Sequence, residues 1–217
     1  MAPSVKLAYF PLRGRAELIR LILEAKGISY QEELVASDKW GPKKDSMPFR
    51  SLPVLHWDGE VIGQSLTIAR FVAKKAGLAG NTDIEQARAD AIVDAVSDIA
   101  PKLFEIKNKD ESSKPAAVQG FVDNNLTTIL SISENLLKNR GGKFITGNKL
   151  SYGDIAIFNL IDLFLTKEVM TGFGFGHVLE AINKLIKNHP LTYGVYNTVK
   201  NQPKIAEYLT KRPSYPF

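Results

Sequence analysis

Apolar residues follow two different spacings along this chain, and the change falls near residue 80. Before it, short apolar runs of strand length alternate with stretches in which apolar residues recur every three or four positions; beyond it only the second spacing is found. Val5 to Phe10 predicts a strand, broken by Pro11 and the loop Leu12-Arg13-Gly14. From Arg15 onward, Leu18, Ile19, Ile22 and Ala25 predict a helix that Gly27 ends, and Ser29 to Leu34 predicts a second strand. Together they make a βαβ unit, with parallel strands and a right-handed crossover. Ser37 to Asp45 is polar, has no clean period and reads as a connecting segment. Val54 to Trp57 and Glu60 to Gly63 flank Asp58-Gly59, the dipeptide that tolerates the positive φ angles of a tight hairpin turn. Ser65 then reads as the N-cap of a helix from Leu66 to Lys75.

The order βαβ then ββα predicts an α/β thioredoxin-like domain with a four-stranded mixed sheet over residues 1–80. Gly77 to Asp83 is a glycine-marked linker in which Thr82 or Asp83 caps the next element. Residues 81–217 read as an all-helical domain, with helices over Ile84–Lys107, Ala116–Lys138, Tyr152–Lys167, Val178–Lys187 and Ile205–Leu209. Ser151-Tyr152-Gly153-Asp154 is a capping box with Asp in the place of Glu, and Leu150 with Ile155 forms the apolar staple across it.

Composition narrows the chemistry. No apolar run approaches the ~20 residues a bilayer crossing needs, and the first residues lack the pattern of a secretory signal, so a cytoplasmic location is expected. Cysteine is absent, which excludes disulfides, Cys-ligated metal and a cysteine nucleophile; any thiol chemistry must use a thiol that the ligand brings. His56, His177 and His189 lie far apart and have no metal-ligand spacing. The net charge of +5 is spread among alternating acids and bases, so neither nucleic acid nor membrane is expected as a partner. Such a surface suits the attraction of anionic ligands.

Candidate chemistry gathers between Pro48 and Ser65. Pro53 has no N–H to give a ladder, and it pushes Leu52 toward extended geometry, leaving the Leu52 backbone to face outward. Next to that edge, the helix start at Ser65 is a site for a carboxylate. An edge for a peptide backbone beside a helix N-terminus suggests a small acidic peptide as ligand. A plain strand start and a plain helix cap account for the same residues.

The fragments KLAYFPLRGRAELIRLIL, Trp40 to Lys44, PFRSLPVL, GQSLTIARF, GLAGNT and the capping-box helix, in this order and spacing, resemble the cytosolic glutathione S-transferases. Within them the chain is most similar to the sigma-like class that includes haematopoietic prostaglandin D synthases. The resemblance spans essentially the whole chain. It implies a homodimer that conjugates the glutathione thiolate to an electrophile, with glutathione as co-substrate. It implies that the Tyr9 hydroxyl hydrogen-bonds the sulfur and that Arg15 is the nearby cation. A free thiol titrates near ~8.5, and lowering that by about two units needs ~2.7 kcal/mol of preference for the anion. One hydrogen bond to a charged acceptor supplies roughly 1.5–3 kcal/mol, so a phenol with a nearby cation suffices.

The same resemblance implies that Trp40 and Lys44 hold the glycine end of glutathione. Leu52 would pair its main chain with the cysteinyl backbone, presented by a cis Pro53 and flanked by Ser51, while Gln64 and Ser65 would bind the γ-glutamyl carboxylate. Asp98 shares a helix face with Asp90 and Asp94. The resemblance has Asp98 reach the partner subunit's glutathione, against the alternative of an acidic stripe exposed to water, which is the reading adopted for Asp90. Ser97 replaces an acidic residue that some relatives use for a divalent ion, so no metal is expected to be required. The electrophile is expected to meet Phe10, Arg15, Ala100, Leu103 and Phe104, with cover from Tyr215 and Phe217. Glu105 and Ala156 stand where prostaglandin-isomerising relatives place aromatic residues, and Ser51 where they place a lysine. Conjugation of small hydrophobic electrophiles in detoxification is therefore expected. A glutathione-dependent prostaglandin isomerase or lipid peroxidase, and a ligand carrier or crystallin-like structural protein, are the alternatives.

Overall fold

The computed structural model describes residues 2–215. The chain divides into two compact units: one runs through Leu78 and resumes at Gln202, and the other is Ala79–Asn201.

In the first unit, β1 (Val5–Tyr9), α1 (Glu17–Ala25) and β2 (Gln31–Leu34) form the βαβ unit, with β1 and β2 parallel and Tyr9 opposite Leu34. Ser37–Lys44 is a helix, α2, and not the irregular connection expected. It buries none of its residues and contains Pro42, so no apolar period announces it. An ion pair from Lys43 to Glu33 at 2.5 Å ties it to β2. β3 (Val54–Trp57) and β4 (Glu60–Gly63) form the hairpin, and β3 lies antiparallel to β1, giving the order β2-β1-β3-β4. Asp58 and Gly59 both take positive φ, 50° and 90°, as the tight turn requires. α3 (Ser65–Lys75) packs against α1, and the two bury Ile19, Ile22, Ile68 and Val72 completely.

The second unit is helical: α4 (Asp83–Ser97), α5 (Ile99–Lys107), α6 (Lys114–Phe121), α7 (Thr127–Lys138), α8 (Tyr152–Leu165), α9 (Lys167–Gly172), α10 (Leu179–Lys187) and α11 (Pro190–Lys200). Thr82 caps α4 by accepting the Glu85 N–H at 3.2 Å. The single helix expected over Ile84–Lys107 breaks at Asp98, because Pro101 cannot donate to the carbonyl of Ser97 and its ring crowds it. α6 and α7 are continuous through one π turn, Val122–Leu126. α8 is the centre of the unit, packed by α4, α10 and α11. Its capping box is present, and Gly153 lets α4 close on it: a Cβ there would lie 3.2 Å from Ala89 Cα. α11 is not among the helices expected above, and its first turn is capped from a distance. The Glu134 carboxylate accepts the N–H groups of Leu191 and Thr192 at 3.0 and 2.8 Å.

The last helix, α12 (Pro203–Lys211), clusters with the first unit, although residues 81–217 were expected to form one domain. Its Tyr208 hydroxyl and the Arg212 guanidinium donate to the carboxylate of Glu17 in α1, a residue only 1% exposed. A buried carboxylate needs donors, and here two come from the far end of the chain. Among the described residues, no helix is long and apolar enough to cross a membrane.

Candidate active site

β1 carries Tyr9 to the end of the sheet, where the chain turns through Pro11 to Gly14 into a single 3-10 turn, Gly14–Ala16, before α1. Tyr9 is buried, and its Oη accepts the backbone N–H of Arg15 at 3.1 Å. The side chain of Arg15 is exposed. Phe10 stands edge-on to Tyr9, with ring centres 5.7 Å apart, and edge-on to Trp40 of α2 at 5.6 Å. The structure thus brings Tyr9, Phe10 and Trp40 into one aromatic row, with Lys44 exposed a helical turn beyond Trp40.

The Leu52–Pro53 peptide is cis, and both residues are buried. They lie just before the β3 ladder, which begins with Val54 opposite Ala8 and Gly63, so the Leu52 main chain is outside the sheet pairing. Ser51 is half-buried and donates its N–H to Pro48 O. The N-cap of α3 is Gln64 and not Ser65, which is the first helical residue. Gln64 has φ 71° and ψ 115°, a left-handed conformation that residues other than glycine seldom adopt. No side chain caps α3, and an uncapped helix start leaves first-turn N–H groups that a carboxylate can satisfy. An extended backbone edge, an uncapped helix start and a phenol with a committed acceptor are what an acidic thiol-bearing tripeptide requires, and the residues present fit glutathione.

Support for this site comes from residues that the sequence reading missed. Glu33 on β2 receives Lys6 at 2.9 Å and Lys43 at 2.5 Å, and these hydrogen bonds lower its carboxyl to about 2. That tether fixes α2, and with it Trp40 and Lys44. Arg20, 1% exposed, donates through Nη1 to the carbonyls of Leu12 (2.8 Å) and Arg13 (3.3 Å) and through Nε to Glu32 (2.5 Å). Burial pulls its guanidinium down, and the carboxylates of Glu17 and Glu32 more than reverse that. A charged residue between Ile19 and Leu21, inside an apolar helix stretch, was the signal available.

The remaining expected residues belong to the second unit or the chain end. Asp98 is exposed at the α4–α5 break. Asp90, read as part of an exposed stripe, is half-buried and accepts the hydroxyl of Tyr152, because that fully buried phenol needs an acceptor. On α5, Ala100 is half-buried and Phe104 is 44% exposed, its ring edge-on to Phe173. Leu103 is fully buried, which makes it a core residue rather than one facing a ligand. Tyr215 lies beneath the Arg20 guanidinium, 5.7 Å from ring centre to Cζ. Phe217 lies outside the described residues.

Fold and candidate site together define a protein with an α/β unit that carries a buried phenol at the end of β1 and a cis Leu52–Pro53 bond before β3, followed by an all-helical unit. Residues 16–75 match the glutathione S-transferase N-terminal domain, and residues 94–212 match the glutathione S-transferase C-terminal domain. The chain belongs to the glutathione S-transferase family. It is 33% identical over 221 residues to probable glutathione S-transferase 6 of Caenorhabditis elegans, covering 98% of each chain. It is 33% identical over 211 residues to haematopoietic prostaglandin D synthase of Gallus gallus, covering 97% of this chain and 98% of that one. The solved sigma class enzyme of Fasciola hepatica superposes with a TM-score of 0.80 at 27% identity, over 100% of both chains.

Proposed function

We propose that this protein is a glutathione transferase that joins the sulfur of glutathione to small apolar electrophiles. The observation that carries the reading is the hydrogen bond from the Arg15 N–H to Tyr9 Oη. With that oxygen already accepting from the chain, its own proton is free to be donated outward, and the incoming N–H makes it a stronger donor. Glutathione supplies the sulfur nucleophile. Tyr9 donates to that sulfur as an anion, and Arg15 adds positive charge beside it. Trp40 and Lys44 take the glycine end, the Ser51-Leu52-Pro53 main chain pairs with the cysteinyl backbone, and Gln64, Ser65 and the α3 amides receive the γ-glutamyl carboxylate. In a homodimer, Asp98 of the partner subunit takes the γ-glutamyl amine. Phe10 offers apolar surface to the electrophile. No metal takes part in this scheme.

The Gallus gallus relative favours a second reading, glutathione-dependent isomerisation of a prostaglandin endoperoxide. One experiment separates the readings. Haloarenes, alkenals, lipid hydroperoxides and the endoperoxide are assayed with and without glutathione, on the parent, Tyr9→Phe and Asp98→Ala proteins. Tyr9→Phe is expected to lower kcat/KM for haloarene conjugation by roughly 10- to 100-fold, the loss of one hydrogen bond to a charged acceptor. Asp98→Ala is expected to weaken glutathione binding. A Tyr9→Phe enzyme as fast as the parent would remove Tyr9 from the chemistry, and a panel inert throughout would leave a carrier or crystallin-like role.

A further inference from the structure

We infer that Gly14 is a positioning residue for the Tyr9 phenol: its missing side chain is what allows the hydroxyl to seat under the Arg15 N–H. The inference rests on the sulfur-holding role proposed for Tyr9. Gly14 has φ +38°, and a Cβ built on it would lie 2.6 Å from Tyr9 Oη, closer than real Cβ atoms come to any neighbour. The same Cβ would be 3.3 and 3.4 Å from Tyr9 Cε1 and Cζ, tight but tolerable distances. The oxygen is therefore the atom that most obstructs a side chain here, in addition to the strain that φ +38° places on any residue with a Cβ.

Neither partner has room to give way. The phenol is 6% exposed, braced edge-on by Phe10, with the Arg20 guanidinium 5.9 Å from its ring centre. The loop is held from its other side, where Arg20 Nη1 grips the carbonyls of Leu12 and Arg13. Arg20 is itself fixed by Glu17 and Glu32. Any side chain at position 14 pushes Oη off the Arg15 N–H, and the proton meant for the sulfur loses its direction.

A double-mutant cycle on the full-length chain tests this, using Gly14→Ala, Tyr9→Phe and the combined variant. Melting is measured without glutathione. Gly14→Ala is expected to lower Tm by roughly 3–8 °C, the scale of overpacking at a rigid site, and by less than half as much in the Tyr9→Phe background, where the obstructing oxygen is gone. In parallel, the pH profile of kcat/KM and the ultraviolet absorbance of the bound thiolate are recorded. Gly14→Ala is expected to raise the apparent thiol pKa by about one unit, on the scale of one hydrogen bond to an anion, with no further rise when Tyr9 is already replaced. Gly14→Asn, which tolerates the left-handed backbone yet still carries a Cβ, is expected to give the same rise. If Gly14→Ala does not fold, recovery of folded protein on adding Tyr9→Phe supports the inference and failure to recover overturns it. Equal loss of Tm in both backgrounds also overturns it, even with Tyr9 essential. Coupled melting with an unchanged Tyr9→Phe pH profile would instead retain the packing and sink the proposed chemistry.

Discussion

Replacing Arg20 by Met tests the buried ionic network beneath the site. The substitution keeps most of the apolar stem and removes the charge, so little packing is lost. Among the described residues, Glu17, 1% exposed, would then keep Arg212 at 3.1 Å and the Tyr208 hydroxyl at 3.2 Å. The carbonyls of Leu12 and Arg13 would lose their donor, and Glu32 its ion pair. Taking one member out of a buried ionic cluster costs up to about 3–5 kcal/mol, a large share of the ~5–15 kcal/mol that stabilises a typical domain. Trp40 and Trp57, the two tryptophans of the chain, both lie in the first unit, so urea unfolding followed by tryptophan fluorescence reports on that unit. With m near ~2 kcal/mol/M, the midpoint is expected to fall by about 1.5–2.5 M. Adding Glu17→Gln removes the buried charge that has lost a partner and is expected to restore roughly 1–2 kcal/mol. A midpoint within about 0.5 M of the parent, a loss near 1 kcal/mol, or no recovery on adding Glu17→Gln, would refute the view that these charges hold each other in place.

Two further outcomes are expected. Glu33→Gln breaks the tether from β2 to Lys43 and is expected to raise the Kd for glutathione about two- to fivefold, the weight of a partly exposed ion pair, with kcat unchanged; isothermal titration checks it. Because the folded Glu33 carboxyl is depressed to about 2, its contribution is complete above its ordinary value of 4.5 and is lost as pH falls through about 2. Asp154 runs the other way. Burial pushes it up to about 6, against the hydrogen bonds it accepts from Ser151 and Ile145. Proton binding to the folded state therefore adds stability that is complete below 3.8 and lost as pH rises through about 6. The amount is about 3 kcal/mol. Asp154→Asn, which keeps an acceptor oxygen but cannot titrate, is expected to flatten the pH dependence of the urea midpoint between pH 4 and 7, read by far-ultraviolet circular dichroism because Asp154 lies in the helical unit, which holds neither tryptophan.

The elements that a local rule specifies were legible along the chain. The two spacings of apolar residues marked the sheet unit and the helical unit, Asp58-Gly59 marked its turn, and Ser151 with Asp154 marked a helix start. Each of these depends on residues within a few positions of one another. The candidate site was legible in part, because Tyr9, Pro53 and the helix start at Ser65 sit at strand and helix ends that the pattern locates. The exchange of Ser65 for Gln64 as N-cap is a one-residue difference that turns on backbone angles.

What local order could not carry was decided by distant partners. α2 has no buried face and is held by Glu33; α11 is capped by Glu134; α12 joins the first unit because Glu17 needs its donors. Asp90 left the solvent-facing stripe because it accepts the hydroxyl of Tyr152, a fully buried phenol sixty-two residues away. The physical reason is the same in each case. Hydrophobic periodicity and turn chemistry are properties of neighbouring residues and can be read in one dimension, whereas the satisfaction of a buried charge or an orphan N–H depends on which groups the folded chain brings within about 3 Å.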